Sequence, residues 1–387
     1  MRFDFDTPID RRGTNSVKWD ENPDVLPLWI ADMDFRTAPC IIEALRKKVE
    51  HGNFGYTLIP DGYYNAVSEW FGKRHGWKIE RDWIVPVDGI VPATSIAIKA
   101  LTEPGDEVIM HIPAYNCFFS SIRNTGCILS GSPLKYEDGR YSMDFEDIER
   151  RCSSPRAKAF ILCNPHNPSG RLWTREELER LSEICRRHSV TVISDEIHCE
   201  IVPPGSSYVP YATVSPEAAM DSITFASPTK PFSIPGVAIA NIISKNPDYR
   251  KRMDRVINDW EHCDMNQFGV VALEAAYSED GAAWLDEMNA YVHENYLFLK
   301  DKLGKSLPQL HVCELESTYL AWVDCSSIQG ASTEEICSSL IEKEKVWINS
   351  GSTYGDGRFV RINLGCPRVI LEDALGRIIS GFKRYIS

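Results

Sequence analysis

Residues 157–200 read AKAFILCNPHNPSGRLWTREELERLSEICRRHSVTVISDEIHCE, and this stretch decides the fold class. The apolar runs at 157–163 and 190–194 have the length and composition of buried β-strands. Between them, residues 174–189 repeat their apolar side chains at helical spacing. A strand, a helix and a second strand in this order predict two parallel strands joined by a crossover helix.

The same alternation of short apolar runs and helical patterns extends from about Asp82 to Ser244. Strands that alternate with helices form a mostly parallel sheet covered on both faces. We therefore predict the α/β class, with a mostly parallel seven-stranded sheet flanked by helices. The seven predicted strands are WIVPV, EVIMHI, CILSGSPL, AKAFILC, VTVIS, SITFAS and VAIANII.

The length of 387 residues predicts a large domain with a smaller companion, since single cores rarely keep growing to this size. Residues 247–303 read as helical and end in a long amphipathic stretch, which we interpret as a spine between the two. Beyond it, strand patterns mix with two helices, as in a small α+β domain. The predicted divisions are an N-terminal segment 1–53 that packs with the small domain, a large domain 54–285 and a small C-terminal domain 286–387.

Composition and charge narrow the function classes. Hydrophobic residues make up 43% of the chain and charged residues 25%, which is typical of globular proteins. A net charge of −13 repels a phosphate backbone, so we expect no nucleic-acid partner. The N-terminal residues lack a signal-peptide pattern and no run of eighteen apolar residues occurs. We expect a cytoplasmic protein without a membrane partner.

Twelve cysteines are spread along the chain without a C-x-x-C pair or a close cluster with histidine. That distribution indicates neither a zinc site nor a disulfide framework. We expect most of these cysteines to be reduced and buried as small apolar side chains. No metal site is predicted.

Polar residues follow three neighbouring strands of the predicted sheet. AKAFILC leads to Asn167, VTVIS leads to Asp195 and His198, and SITFAS leads to Lys230. In an open parallel sheet, ligands bind beyond the carboxyl ends of the strands. Separately, these residues fit a turn former, a helix cap, a satisfied helix residue and a surface charge in a loop. Their position at one edge favours a shared site.

A lysine, an aspartate and an asparagine on one rim suit pyridoxal 5'-phosphate. The Lys230 amine can form a Schiff base with the aldehyde, and an ionised Asp195 can keep the ring nitrogen protonated. Asn167 can donate to the ring oxygen with help from His198. The segment VDGIVPATSIAIKAL supplies a strand, a glycine turn and a helix start for the phosphate, where the candidate residues are Ile90 and Val91, near Thr94 and Ser95.

Over nearly its whole length the sequence resembles a known family. The motifs that carry the resemblance are, in chain order, DFDTPIDRRGTNSVKWD, LPLWIADMDF, FGY, NPHNPSGRLWT, SDEIH, SPTK, ESTYLAWVD and FVRINLGCPR. They resemble those of fold-type I pyridoxal-phosphate enzymes in the aminotransferase class I/II superfamily. Within it they are similar to the cystathionine β-lyase or C–S lyase group, of the MalY and PatB kind. The implied fold is that of aspartate aminotransferase.

The resemblance implies roles for individual residues. Lys230 is the Schiff-base lysine, Asp195 is the partner of the pyridine nitrogen, and Asn167 is a donor to the ring oxygen. Tyr115 stacks on the ring, and the cofactor site extends to Ser227. The substrate residues are Arg361 for the α-carboxylate, Ala31, Asn167 and Tyr115. Tyr56 reaches the phosphate of the neighbouring subunit's cofactor, which implies an obligate homodimer with shared sites.

The implied activity is β-elimination from a cysteine-derived amino acid, giving a thiol or sulfur product, pyruvate and ammonia. The substrates left open are cystathionine, cysteine, an S-substituted cysteine or its sulfoxide. Related aminotransferases carry an arginine where this chain has Ala238, which favours a lyase. An aminotransferase is the alternative, and a regulatory or partner-binding role is a third. Residues 231–233 depart from the group's usual sequence after the lysine, which bears on substrate preference.

Overall fold

A computed structural model describes residues 2–386 of the chain. The strands, in chain order, are β1 (Leu26–Pro27), β2 (Ile84–Val87), β3 (Glu107–Ile112), β4 (Ile128–Pro133), β5 (Lys135–Glu137), β6 (Arg140–Ser142), β7 (Ala157–Cys163), β8 (Thr191–Asp195), β9 (Ser222–Ala226), β10 (Ala240–Ile243), β11 (His311–Val312), β12 (Leu320–Asp324), β13 (Val346–Trp347), β14 (Asn349–Ser350) and β15 (Phe359–Asn363).

The helices lie between Val17 and Phe382. In chain order they are α1 (Val17–Asp20), α2 (Pro39–His51), α3 (Asp61–His75), α4 (Ile90–Leu101), α5 (Asn116–Asn124), α6 (Phe145–Cys152), α7 (Arg175–Arg187), α8 (Pro216–Met220), α9 (Pro247–Asp259), α10 (Gln267–Ala276), α11 (Glu279–Ser306), α12 (Thr333–Ser339) and α13 (Arg368–Phe382).

The seven predicted strands form one sheet in the order β2-β10-β9-β8-β7-β3-β4. Strand β10 runs antiparallel to both of its neighbours, and the other neighbours pair in parallel. The predicted mostly parallel sheet is confirmed. In the centre, Cys163 lies opposite Asp195, and Asp195 lies opposite Phe225. The carboxyl ends of β7, β8 and β9 therefore lie level at one edge.

Helices cover both faces of this sheet, as the apolar runs predict. One buried cluster lies between the sheet and α4, α5 and α9, and a second contains side chains of α6 and α7. Helix α7 begins where Thr174 and Glu177 form a reciprocal capping box. The apolar face behind that cap includes Leu178 and Leu181, which are fully buried. Local capping and burial thus fix the crossover between β7 and β8.

A second, four-stranded sheet has the order β11-β12-β15-β14, and α11 and α13 pack together beside it. Strand β1 pairs in parallel with β13, so the N-terminal segment joins this part of the chain. Helix α2 of the same segment packs against α10, which lies within 54–285. The N-terminal segment therefore contacts both parts, and the division at 53 and 285 stays a prediction.

The sequence leads us to expect no membrane-spanning helix and mostly buried, reduced cysteines. Within residues 2–386, no helix combines the length and the apolar character needed to cross a membrane. All twelve cysteines are free, and most of them are buried.

We expect the centre of the large sheet to dominate stability. Ile193 of β8 is fully buried, whereas Ile128 of β4 is 44% exposed. Truncating a buried isoleucine to alanine leaves a cavity and costs about 2–5 kcal/mol. Ile193→Ala should lower the free energy of unfolding by that amount, measured by urea denaturation. Ile128→Ala is the matched control and should cost less than about 1 kcal/mol; equal losses would contradict this assignment of the core.

Candidate active site

A cavity of about 580 Å³ opens at the carboxyl edge of β7, β8 and β9. Its wall contains most of the site residues that the sequence predicts. Those residues are Ala31, Ile90, Val91, Tyr115, Asn167, Asp195, His198, Lys230 and Arg361. Ala238 also lines the cavity. Residues that are far apart in the chain thus meet in one concave space, as expected of a ligand site.

Lys230 lies in the loop after β9 and points its amine into the cavity. Its Nζ donates to the backbone carbonyl of Ala31 at 2.5 Å. Burial lowers the pKa of the Lys230 ammonium to about 8. The loop is held from behind by Ser227, whose Oγ donates to the carbonyl of Ile239 at 2.6 Å and accepts from the N–H of Thr229 at 3.1 Å. The lysine is therefore both fixed in place and easily deprotonated.

Asp195 is the last residue of β8 and is buried. Its Oδ1 accepts from the N–H of Ile197 at 3.1 Å, closing a local turn, and residues 197–200 that follow form turns and not a helix. Burial raises the pKa of Asp195 to about 7. Burial also lowers the pKa of the nearby His198 to about 3, so this imidazole is neutral at physiological pH.

Arg361 of β15 reaches across from the smaller sheet and is buried. One terminal nitrogen donates to Oδ1 of Asn167 at 3.0 Å, and the other donates to the carbonyl of Trp29 at 3.0 Å. The guanidinium also lies over the ring of Tyr354, with its central carbon 4.4 Å from the ring centroid. Burial lowers the pKa of Arg361 without making it neutral. A fixed positive charge therefore lines the same cavity as Lys230.

Two further predicted residues line the wall where helices begin. Tyr115 precedes α5, is half-buried and presents its ring to the cavity. Burial raises the pKa of its hydroxyl, so the phenol stays protonated. Ile90 and Val91 are the first residues of α4, where backbone N–H groups have no partner within the helix. Such a terminus favours an anion.

Two predicted cofactor residues do not line this cavity. Ser227 lies behind the lysine loop, where its hydroxyl is engaged with Thr229 and Ile239. Tyr56 is 94% exposed and borders a separate surface depression beside Phe268. Thr94, named for its nearness to the helix start, turns its hydroxyl back to the carbonyl of Ile90 at 2.9 Å. The roles predicted for Ser227 and Tyr56 stay predictions.

Sequence reasoning missed an aromatic wall of the cavity. Trp29 and Trp347 stack with ring centroids 4.4 Å apart and nearly parallel planes. Asn349 donates to the Trp29 carbonyl and to the hydroxyl of Tyr354, both at 3.0 Å. Trp29 lies inside the motif LPLWIADMDF, and this motif was the one sequence signal that could have indicated the wall. Trp347 and Asn349 lie in short strands without a distinctive pattern.

The donors and acceptors of this cavity fit pyridoxal phosphate. Among residues 2–386, the carboxylate of Asp195 accepts a hydrogen bond from Ile197 alone. A protonated ring nitrogen would supply the cation that this buried carboxylate lacks. The Lys230 amine suits the aldehyde, and the free N–H groups at the start of α4 suit the phosphate.

A second cluster of potential ligand atoms lies away from the cavity. His75, Cys199 and Glu200 place one ligand atom each within 4.8 Å of the others. Glu200 already accepts from Trp70 at 2.7 Å and from Arg74 at 3.0 Å, and it contacts His75 at 2.6 Å. These contacts satisfy the carboxylate without a metal ion. The cluster serves as a buried polar link between α3 and the segment after β8.

Comparison with protein families identifies the class of protein that this fold and cavity define. Residues 23–378 match the model of the family described as aminotransferase class I and II. The chain belongs to this family. The predicted aspartate-aminotransferase-like fold is thereby confirmed.

Individual proteins similar to this chain show which group of the family it resembles. Cystathionine β-lyase PatB of Bacillus subtilis (strain 168) is 40% identical over 384 residues, covering 97% of this chain and 99% of that protein. Protein MalY of Escherichia coli (strain K12) is 36% identical over 394 residues, covering 98% and 99%. The crystal structure of a PLP-bound putative aminotransferase from Clostridium difficile 630 has 40% identity and a TM-score of 0.95, covering 98% and 99%. The predicted resemblance to the MalY and PatB group is confirmed.

Because Lys230 is buried, we predict how the reactivity of its amine depends on pH in the protein without cofactor. Because the pKa is lowered from 10.5 to about 8, the neutral, reactive amine should reach half its full population near pH 8. Trace acetylation with acetic anhydride, followed by mass spectrometry, measures this midpoint. The exposed Lys343 shows that the reagent works at every pH. A Lys230 midpoint near 10.5 would contradict the effect of burial.

Proposed function

We propose that this protein is a pyridoxal-phosphate-dependent carbon–sulfur β-lyase. It cleaves a cysteine-derived amino acid to a thiol or sulfur product, pyruvate and ammonia. The observation that carries the proposal is the placement of Lys230, Asp195 and Arg361 around one cavity. A base, a partner for the cofactor and a carboxylate receptor are then available together. The 40% identity to a cystathionine β-lyase over nearly the whole chain supports the reaction type.

Pyridoxal phosphate is the cofactor, and when bound it supplies an electron sink for the pair left at the substrate α-carbon. We propose that Lys230 holds the aldehyde carbon, Asp195 faces the ring nitrogen, and Tyr115 covers the ring. Asn167 and His198 serve the ring oxygen. The phosphate end is assigned to Ile90, Val91, Ser227 and, from the second subunit, Tyr56.

Arg361 receives the substrate α-carboxylate in this proposal. Its Nε is buried and has no hydrogen-bond partner among residues 2–386. An unpaired buried N–H is costly, and an incoming carboxylate would satisfy it with a charge-assisted hydrogen bond. Asn167 and the Trp29 carbonyl hold the other two nitrogens, so the guanidinium plane is set before substrate arrives. The carboxylate then orients the α-carbon toward the lysine, and Ala31 lines the same side.

Once the substrate amine has displaced it from the aldehyde carbon, Lys230 acts as the general base that removes the α-proton. With a pKa near 8, the amine is neutral in a useful fraction of molecules near neutral pH. The Ala31 carbonyl at 2.5 Å accepts a hydrogen bond from Nζ and so restricts its position. Loss of the β-sulfur substituent follows removal of the α-proton, and the product hydrolyses to pyruvate and ammonia.

Ala238 favours the lyase over an aminotransferase. It lines the cavity at the position where related aminotransferases carry a phosphate-binding arginine. An aminotransferase would make the same carbanion and require a keto acid to complete its cycle. The similar Clostridium difficile protein is described as a putative aminotransferase, so we retain this alternative.

The aromatic wall of Trp29 and Trp347 indicates which substituent the substrate carries on its sulfur atom. Stacked indoles offer an apolar surface and favourable contacts with sulfur. We propose that the sulfur substituent lies against this wall, so apolar S-alkyl cysteines are well suited.

The cytoplasmic location expected from the sequence also stays a prediction.

We also propose that the protein acts as a homodimer with shared sites. Tyr56 and Leu58 are 94% and 93% exposed, and Phe54 beside them is 57% exposed. These residues belong to an irregular segment between α2 and α3. A cluster of large apolar side chains in water is typical of an interface. In the dimer, this segment would lie against the partner's cavity.

The lyase proposal predicts turnover without a keto acid. Purified protein with pyridoxal phosphate should convert L-cystathionine or S-alkyl cysteines to pyruvate and thiol in equal amounts. Lys230→Ala should lower the rate by about 100- to 10,000-fold, because the general base is lost. Lys343→Ala, at an exposed lysine, is the control and should keep the parental rate. Turnover that starts only after a keto acid is added would identify an aminotransferase instead.

The shared-site proposal predicts complementation between two inactive variants. Tyr56→Ala and Lys230→Ala should each be weak alone, because each damages every site of its own homodimer. After mixing and reassociation, half of the dimers are hybrids, and each hybrid has one intact site. Activity should then recover to about a quarter of the parental value. No recovery in verified hybrids, or full activity of Tyr56→Ala alone, would contradict a role for Tyr56 across the interface.

A further inference from the structure

The N-terminal motif DFDTPIDRRGTNSVKWD has no role in the reaction as proposed, yet it surrounds a cluster of buried charge. Asp34 is 1% exposed and accepts three hydrogen bonds from this motif. The donors are Lys18 Nζ at 2.7 Å, the indole N–H of Trp19 at 2.8 Å and Arg11 at 3.0 Å. A buried carboxylate with two cationic donors and one indole donor is held firmly.

Lys18 also donates to the backbone carbonyl of Asp32 at 2.7 Å, and Arg11 adds contacts that neither Lys18 nor Trp19 makes. Besides Asp34, its guanidinium donates to Oδ2 of Asp32 at 2.6 Å and to the carbonyl of Met33 at 3.1 Å. Three consecutive residues, 32–34, are therefore joined to one side chain. Arg11 is the only side chain among residues 2–386 that donates to the Asp32 carboxylate.

Residues 29–33, which run into the segment that Arg11 holds, present backbone carbonyls to the active site. The carbonyl of Trp29 accepts from Arg361, and the carbonyl of Ala31 accepts from Lys230. The carbonyl of Met33 accepts from Ser233, in the loop that carries the lysine, at 3.1 Å. Residues 29–33 thus contact both cationic groups of the cavity and the lysine loop.

We propose that Arg11 is a positioning residue for substrate binding. It holds residues 32–34, and Asn363 donates to the carbonyls of Ile30 and Asp32 at 2.6 and 2.8 Å. Together, Arg11 and Asn363 fix the adjoining segment, whose Trp29 carbonyl orients Arg361. It also pairs with Asp32, whose free carboxylate beside Ala31 would repel an incoming carboxylate. This inference rests on the proposed function of Arg361 and Lys230, which Arg11 does not touch.

The neighbouring Arg12 provides a matched control. It donates to the carbonyl of Pro23 at 3.1 Å and lies over the ring of Trp19 at 4.5 Å. It is exposed and makes no hydrogen bond to residues 32–34. Replacing Arg11 leaves Asp34 bonded to Lys18 and Trp19, so the buried carboxylate keeps two donors and the variant should fold.

The test measures binding of L-alanine, an amino acid without a β-leaving group, to the protein loaded with pyridoxal phosphate. Arg11→Met should weaken L-alanine binding about tenfold, because part of the binding free energy must then order the segment that sets Arg361. KM for the eliminated substrate should rise by the same factor, with kcat within about twofold. Affinity for pyridoxal phosphate should not change. Arg12→Met should match the parent in every measurement, and Arg11→Lys should recover part of the loss.

Three outcomes would overturn the proposal. They are equal L-alanine affinity in the parent and Arg11→Met, equal losses in the Arg11 and Arg12 variants, and a fall in Tm without a change in KM. A parent protein that binds L-alanine but releases no thiol would refute the lyase function alone. The L-alanine affinities of the two variants would still decide the role of Arg11.

Discussion

Parallel pairing of β7, β8 and β9 is the constraint on which the rest of the structure depends. Because Cys163 lies opposite Asp195 and Asp195 lies opposite Phe225, all three strands end at one level. The chain must leave the sheet there, and the polar residues that follow share a single cavity. The same convergence removes water from these groups. Burial thus raises the pKa of Asp195 and lowers that of Lys230.

The second sheet and the N-terminal segment complete what the large sheet begins. Arg361 comes from β15, and its two hydrogen-bond partners come from distant segments, Asn167 from the loop after β7 and Trp29 from the segment after β1. A guanidinium buried in this way stays charged, so it needs neighbours that accept its hydrogen bonds. The end of the cavity at Asp195 and Lys230 therefore belongs to the large sheet. The Arg361 end forms only where these distant segments meet.

Much of the fold and of the cavity could be predicted because the signals are local. Seven apolar runs of strand length, with helical patterns between them, were enough to specify the large sheet and its covering helices. Asn167, Asp195 and Lys230 follow directly from the ends of their strands. The resemblance supplied Arg361 and Tyr115, which no strand end singles out in the sequence. Ser227 and Tyr56 were predicted beside the cofactor, and neither side chain lines this chain's own cavity.

By itself, the sequence determined the order of the elements, the parallel core and the polar residues at its edge, because periodicity and strand length are written in neighbouring residues. Only the tertiary structure decided which distant groups meet there. The stacking of Trp29 on Trp347 and the hold of Arg11 on residues 32–34 are examples. Such contacts join short irregular segments or segments far apart in the chain. They depend on packing geometry, for which no local pattern of residues exists.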